Sequence, residues 1–360
     1  MNGKTDLIVV GGGVMGAAAA EACARGGMSV VLLEAGEMGQ GASGVNAGTL
    51  SLQIKRVALM PYALRGHAEW AAAGDAVGFA RTGGLTLAFT QAEEALLHER
   101  MTLKREAGAP IRFLGSNELR SLEPSLAHGV RAASYCAEDG HADSALTGRY
   151  WRGRLRAAGV TLREGVAVEA IQTGYAVTFE ETWRAPRLLL ATGARLAETA
   201  ALLGVDLPVT ARVNTVSVTE RMPRLLRHGI GHATGLLTMK QKANGSVLIG
   251  GGWQGSGAPA EGRGRVEAGT LRPNLALAVH AVPALAEARL LRSWTGFEAA
   301  TPDLMPLAGP LPGHPGAWVL GAVRGGYTIG FCIGRLMGEA ILGREPALPL
   351  FDPARFEEAA

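Results

Sequence analysis

The chain opens with an alternation of apolar runs and small-residue breaks. Residues 6–10 form a short run of branched apolar side chains that predicts a strand, and the run stops at the glycine cluster of residues 11–16. Four consecutive alanines begin at Ala17, and Glu21 and Arg25 follow at i, i+4 spacing, so residues 17–25 predict a helix. Gly26 and Gly27 end it, and residues 29–34 predict a second strand that closes on the acid Glu34. Farther along, residues 213–219 and 246–250 carry the short β-branched runs of strands. Residues 144–158 and 328–342 predict helices. Residues 281–291 place Leu285, Ala288 and Leu291 on one helical face and predict a packing helix. This pattern gives an α/β or α+β protein.

Composition narrows the class. The chain has 360 residues, 48% hydrophobic and 19% charged, so it can bury a sizeable core and is not disordered. A single core stops growing at roughly 250–300 residues, so one large domain or two interleaved ones are expected. Glycine is used 51 times without a G-X-Y period, which excludes a collagen-like chain. The net charge of +3 and the scattered Lys and Arg argue against a nucleic-acid groove. Cys23, Cys136 and Cys332 lie far apart, and no pair has C-x-x-C spacing. That excludes a disulfide framework and a zinc site, and it suits a reducing compartment. No apolar run reaches the ~18–20 residues of a membrane helix, so a soluble cytoplasmic protein without a transmembrane segment is expected. His141 and Asp143 lack further ligands at metal spacing, and no metal is expected.

The strand, the G-x-G-x-x-G at Gly11, Gly13 and Gly16, the helix, the next strand and Glu34 together form a dinucleotide-binding βαβ unit. Gly11 permits the tight turn, Gly13 lets a pyrophosphate approach, and Gly16 lets helix and strand pack closely. Val14 and Met15 open the helix, whose free N–H groups and positive dipole end favour phosphate. Glu34 can accept hydrogen bonds from ribose hydroxyls and disfavours the 2′-phosphate of NADP.

Small residues follow the ribose-binding acid in the loop of residues 41–50. This loop resembles the second flavin loop of the D-amino-acid oxidase superfamily of FAD-dependent oxidoreductases, the group of glycine and sarcosine oxidases. The resemblance continues in order along almost the whole chain. It covers Asp139 to Asp143, the strand at Val168, the Ala191-Thr192-Gly193 turn and the hairpin of residues 244–252. It then covers Trp294, Gly296, Thr301, Asp303, Pro306 and Gly309, and finally residues 321–327 ahead of the last helix. By resemblance, Ser43, Asn46, Ala47, Gly48, Thr49, Leu50, Val168, Ala191, Thr192, Gly193, Gly296, Gly325, Gly326, Tyr327 and Thr328 contact FAD. The family's covalent flavin link uses a cysteine where this chain has Gly296, so non-covalent FAD is implied. Asn46-Ala47-Gly48, residues 212–220, Phe297-Glu298 and residues 324–327 are more similar to catalytic subunits of multi-subunit opine, proline or hydroxyproline dehydrogenases.

The resemblance implies a Rossmann-like FAD-binding domain of glutathione-reductase type, built from residues 1–82, 142–208 and 300–360. An antiparallel-sheet substrate domain of residues 83–141 and 209–299 interleaves with it. It also implies oxidation of the C–N bond of an amino acid or N-substituted amino acid. Hydride passes to flavin N5, and the imine hydrolyses to an oxo acid. A partner subunit would carry electrons onward; the alternatives are a stand-alone oxidase producing hydrogen peroxide and a non-catalytic flavin-binding or electron-transfer subunit.

Three residues are candidates for substrate chemistry: Arg324, Glu298 and Tyr327. Arg324 can clamp a substrate carboxylate or pair internally with Glu298. Glu298 stands where glycine-oxidase-like members carry an arginine, and can meet a cationic substrate end or form a salt bridge. Residues 325–328 offer a helix N-terminus to the flavin pyrimidine. Cys332 reads as a buried thiol, and Lys240 and Lys242 as a solvated hairpin rather than cations facing the flavin.

Overall fold

The computed structural model describes residues 2–172, 175–178 and 181–359. The chain is mixed α/β and packs as two units. One comprises Met1–Val45, Ser144–Arg212 and Phe297–Ala360; the other comprises Asn46–Asp143 and Val213–Gly296. By packing, residues 46–82 group with the second unit.

Among the described residues of the first unit, a six-stranded sheet contains β1 (Leu7–Val10), β2 (Val30–Glu34), β3 (Thr161–Glu164), β4 (Arg187–Leu190), β5 (Leu307–Pro310) and β6 (Ala317–Gly321). Their order is β3-β2-β1-β4-β6-β5, parallel except for the β5–β6 edge pair. All four residues of β1 and the first four of β2 are buried. Such strands, covered on both faces, read as continuous apolar runs without alternation. A smaller four-stranded sheet joins Asn2–Lys4, Val168–Gln172, Tyr175–Thr178 and Thr182–Arg184.

Three helices of this unit matter for the site: α1 (Val14–Arg25), α2 (Ser144–Ala157) and α3 (Gly326–Ile341). Helix α1 begins before the alanine run because Gly13, in extended conformation at φ −70° and ψ 171°, is its N-cap. Helix α3 carries a glycine at every fourth position, Gly326, Gly330, Gly334 and Gly338, and lays that ridge on α1. A Cβ on Gly330 would stand 2.6 Å from Val14 Cγ1, on Gly334 2.5 Å from the Met15 carbonyl oxygen, and on Gly338 2.5 Å from Ala22 Cβ. Glycine therefore sets the closeness of the two helices, as small residues do wherever backbones approach.

The second unit is built on an eight-stranded sheet among the described residues. Its order is Leu290–Ala300, Thr210–Arg221, Ser246–Gly250, Thr238–Gln241, Gly229–His232, Gly84–Ala88, Ala132–Cys136 and Ile111–Gly115. The sheet is not wholly antiparallel, since Gly229–His232 runs parallel to Gly84–Ala88. Its apolar face packs a core that includes Leu85, Leu87, Ile230, Met239, Val247 and Leu285. Helix Gln91–Glu106 starts in a capping box of Thr90 and Glu93, which satisfies two otherwise orphaned N–H groups.

The packing helix expected over residues 281–291 does not form. Helix Ala268–Ala281 stops at Val282, which is extended at φ −136° and ψ 90°, the bias of a residue before proline. Pro283–Glu287 makes a short 3₁₀ turn, and strand Leu290–Ala300 follows. Leu285 still reaches the core, but Leu291 is 68% exposed. Among the described residues, no helix is long and apolar enough to cross a membrane.

Gly334→Val would push methyl groups into the Met15 carbonyl. Overpacking of this kind costs roughly 1–3 kcal/mol, so calorimetry should give a lower Tm. A wild-type Tm would contradict the glycine-set contact.

Candidate functional site

The glycine turn between β1 and α1 is held from several directions. Gly11 has φ +112°, which side chains rarely adopt, and a Cβ there would strike the Ala191 carbonyl oxygen. Its N–H donates to the Leu33 carbonyl at 2.9 Å, and the Ala191 N–H donates to the Val10 carbonyl at 2.8 Å. Glu34, at the end of β2, is aimed by two backbone donors: the Gly12 N–H reaches Oε2 at 2.7 Å and the Gly36 N–H reaches Oε1 at 2.8 Å. Gly12, the middle glycine of the triplet, was not singled out by the motif. A Cβ there would meet Met38 Sδ and lie 3.1 Å from Glu34 Oε2, so a side chain would have to displace both. A Cβ on Gly16 would strike the Gly11 carbonyl oxygen, which explains the third motif glycine.

The start of α1 is prepared for an anion. The Val14 N–H donates to Ser43 Oγ at 3.0 Å, from the short helical turn Ala42–Val45. Gly13 caps no N–H with a side chain, and the first turn has no acidic residue. Apart from the Val14 N–H held by Ser43, the positive helix end meets no acidic side chain of its own first turn, and it lies beside a glycine cradle and an oriented carboxylate. Those donors and that acceptor fit the pyrophosphate and ribose of FAD. Met15 turns toward α3, where a Cβ on Gly326 would be 2.9 Å from its Cε.

Other expected residues of the first unit gather around β4 and α3. Ala191 is buried after β4, Thr192 Oγ1 donates to Thr199 Oγ1 at 2.9 Å, and Gly193 turns the chain at φ +59°. Val168 begins its strand half-buried against the core of this unit. Gly325, at φ +66°, is the N-cap of α3, and its N–H donates to Glu298 Oε1 at 2.7 Å. Arg324 Nε lies 3.8 Å from Glu298 Oε2, so the internal ion pair is present, yet this Nε is buried without a hydrogen-bond partner. Tyr327 shares a 2.7 Å hydrogen bond with Thr147 Oγ1 of α2, and Thr328 is fully buried. Thr147 carries no motif that could have marked it.

The second unit holds the remaining expected residues. Asn46 Oδ1 accepts the Gly48 N–H at 2.6 Å, and Gly48, at φ +70°, packs against the Ala142 carbonyl. Half-buried Ala47 lies between Asn46 and Gly48. Thr49 and Leu50 form a strand paired with His141 and Gly140. Asp139 accepts from Ser51 Oγ at 2.5 Å, the Leu52 N–H at 2.7 Å and Gln53 Nε2 at 3.2 Å. Burial raises its pKa against the pull of those bonds. Gly296 sits half-buried within strand Leu290–Ala300.

Lys240 departs from the solvated hairpin expected of it. It is 5% exposed, and its Nζ donates to Thr49 Oγ1 at 2.7 Å. The reason is position: strand Thr238–Gln241 runs between two others in the sheet, and its last three residues are all buried. Burial first, then the charge of Lys242, lowers the Lys240 pKa to about 7. Lys242 is more open and pairs with Asp143 at 3.4 Å. Burial, then Lys240 and Lys242, push the His141 imidazole down to about 3. Thr49, Asp139, His141 and Lys240 line one cavity of about 30 Å³. Among the described residues, no cluster of three or more His, Cys, Asp or Glu could hold a metal ion. All three cysteines are buried, and none is in a disulfide.

The start of α1 gives a sharp test. Gly13 has an extended conformation that aspartate also adopts, and a Cβ there would meet only Ser43 Oγ at 3.3 Å. Aspartate is a favourable N-cap, so Gly13→Asp should keep or raise the Tm of the FAD-free chain. Its charge should oppose the pyrophosphate and lower FAD affinity at least tenfold, about 1.4 kcal/mol. Unchanged affinity by flavin titration would contradict the assignment.

Comparison with known proteins finds similarity along almost the whole chain. The chain is 29% identical over 368 residues to glycine oxidase from Geobacillus kaustophilus, covering 97% of this chain and 96% of the relative. The crystal structure of glycine oxidase from that organism superposes with a TM-score of 0.87 at 28% identity, with 98% of each chain covered. An opine oxidase subunit of Rhizobium meliloti is 26% identical over 352 residues, covering 91% of this chain and 90% of the relative. The model of the FAD dependent oxidoreductase (DAO) family matches residues 6–340. A helix N-terminus, a glycine cradle and an oriented acid are what such a cofactor requires, and the chain belongs to the FAD-dependent oxidoreductase family.

Proposed function

We propose that the chain oxidises the C–N bond of an amino acid or N-substituted amino acid. The observation that carries this reading is the end-to-end similarity to glycine oxidase, together with the oriented cradle at Gly11, Gly13, Gly16 and Glu34. FAD, when bound, supplies the acceptor for the hydride that leaves the substrate carbon. In the first unit, the start of α1 would hold the pyrophosphate and Glu34 the ribose, while Val168, Ala191, Thr192 and Gly193 would hold the remainder of the nucleotide. The Gly326 N–H and the dipole of α3 would stabilise negative charge on the flavin edge.

Arg324 is the proposed carboxylate clamp in this unit. Its pairing with Glu298 at 3.8 Å is longer than a hydrogen bond, and its Nε keeps an unspent donor. Glu298 is then a positioning residue that fixes the Gly325 N–H and steadies the guanidinium. Tyr327, tied to Thr147, holds the first turn of α3.

A dehydrogenase that works as one subunit of a larger assembly is the preferred form. The similarity to a protein named as a subunit of opine oxidase supports it. So does the cysteine set, because three separately buried thiols offer no iron–sulfur cluster and an onward electron path would need another chain.

The test is anaerobic addition of amino acids, proline analogues and opines to the FAD-loaded chain. One of these classes should bleach the flavin absorbance, and bleaching by none would overturn the reading. Rapid reoxidation by oxygen would replace the dehydrogenase form with an oxidase. Losing a charge-assisted contact costs roughly 1.5–3 kcal/mol, so Arg324→Ala should raise KM about tenfold or more with FAD retained. Unchanged kinetics, or loss of FAD, would remove the clamp role.

A further inference from the structure

The cavity of the second unit contains a cation without an anion. Lys240 is buried at the middle of the eight-stranded sheet, and its Nζ donates to a neutral hydroxyl, Thr49 Oγ1, at 2.7 Å. Among the described residues no carboxylate pairs with it, whereas Lys242, two positions on, has Asp143 at 3.4 Å. The carboxylate that lines the same cavity, Asp139, is already engaged by Ser51, Leu52 and Gln53. His141 lines the cavity as well, with its side chain buried and its Nδ1 lacking any hydrogen-bond partner.

A buried ammonium next to a single hydroxyl is poorly compensated for the water it has lost. A buried imidazole nitrogen with no partner adds a second unmet group. One ligand chemistry meets both needs: an anion with two adjacent acceptor oxygens. The volume of about 30 Å³ has room for about two water-sized groups, at roughly 10–15 Å³ each, which matches the two oxygens of a carboxylate.

We propose that this cavity is a carboxylate-binding site in which Lys240 supplies the charge and His141 a hydrogen bond. The carboxylate has two possible sources, a second carboxylate of a substrate whose first is held by Arg324, or a free small carboxylic acid such as an oxo-acid product. The second part of the test separates them.

The site has a built-in pH dependence. Lys240, brought to about 7 by burial and then by Lys242, is cationic below neutrality and neutral above it. The other groups facing it do not cancel this change. His141, at about 3, stays neutral across the range, Asp139 is raised by burial and held by its three donors, and Lys242 is paired with Asp143. Anion binding favours the protonated lysine, so affinity falls as pH rises through 7, and binding at pH 8 takes up a proton.

The experiment is calorimetry of the FAD-loaded chain with acetate, and with the neutral isostere acetamide, at constant ionic strength. Acetate should bind more tightly than acetamide at pH 6, weaken at least tenfold by pH 9, and take up close to one proton at pH 8. Lys240→Met should weaken acetate at least tenfold at pH 6 without changing acetamide binding or the flavin spectrum. Lys240→Arg, whose charge persists, should bind acetate and lose the pH dependence. A flat pH profile in the wild type, or wild-type acetate affinity in Lys240→Met, would overturn the proposal. If Lys240→Met does not fold, the wild-type profile and proton uptake still decide it. These arms need no turnover, so they stand apart from the proposed C–N oxidation. For the source, acetate is added to flavin bleaching by a substrate. A rise in half-saturation alone supports the substrate's carboxylate, and a fall in limiting rate alone supports a separate carboxylic acid.

Discussion

The contact between α1 and α3 governs the architecture of the first unit. Two helices that begin more than 300 residues apart in sequence meet along glycines spaced one per turn, close enough that a single methyl group at Gly334 would reach the Met15 carbonyl. Each helix contributes an N-terminus whose first N–H is held by a side chain, Val14 by Ser43 and Gly325 by Glu298. Helix α1 begins at the glycine turn beside Glu34, and α3 begins at Gly325 with its N–H fixed by Glu298. Fixed dipoles cost no reorganisation when charge arrives, provided that packing holds them still. The glycine ridge supplies that rigidity, and the strand pairing of β1 with β4 and β4 with β6 carries it to the turns at Ala191 and Gly321.

Much of this was legible in the chain because it is local. Strand, glycine turn, helix, strand and acid lie within 34 residues, and each residue type has its own backbone reason for being there. The ridge of α3 was written just as openly, at Gly326, Gly330, Gly334 and Gly338. Its meaning depends on a partner helix at the other end of the chain, so the sequence points to the helix N-terminus at residues 325–328 and not to the packing of the glycines that follow. Residues 281–291 misled for the opposite reason: their apolar spacing is helical, but Pro283 lacks an N–H and biases Val282 toward extended backbone, so the helix ends there.

Lys240 shows the limit of reading polarity as exposure. Two lysines before an Asn-Gly turn look like a wet hairpin, and Lys242 does keep partial exposure with Asp143 beside it. Farther into the strand, the neighbours on both sides bury Met239, Lys240 and Gln241 alike. Two of the buried ionisable groups in the second unit, Asp139 and Lys240, stand in opposite condition. Asp139 has a full set of donors drawn from residues 51–53, contacts across a sequence gap that no local pattern encodes. Lys240 has one hydroxyl. Buried polar groups are cheap when satisfied and costly when not, and that difference separates a structural carboxylate from a ligand-seeking cation.

If the α1–α3 contact makes one cofactor cradle from the two ends of the chain, FAD should steady both helices at once. Hydrogen exchange followed by mass spectrometry, with and without FAD, measures this directly. The account predicts that added FAD slows exchange in residues 11–25 and 326–341 together. Slowing confined to residues 11–25 would contradict it, because the C-terminal helix would then be independent of the nucleotide turn it packs upon.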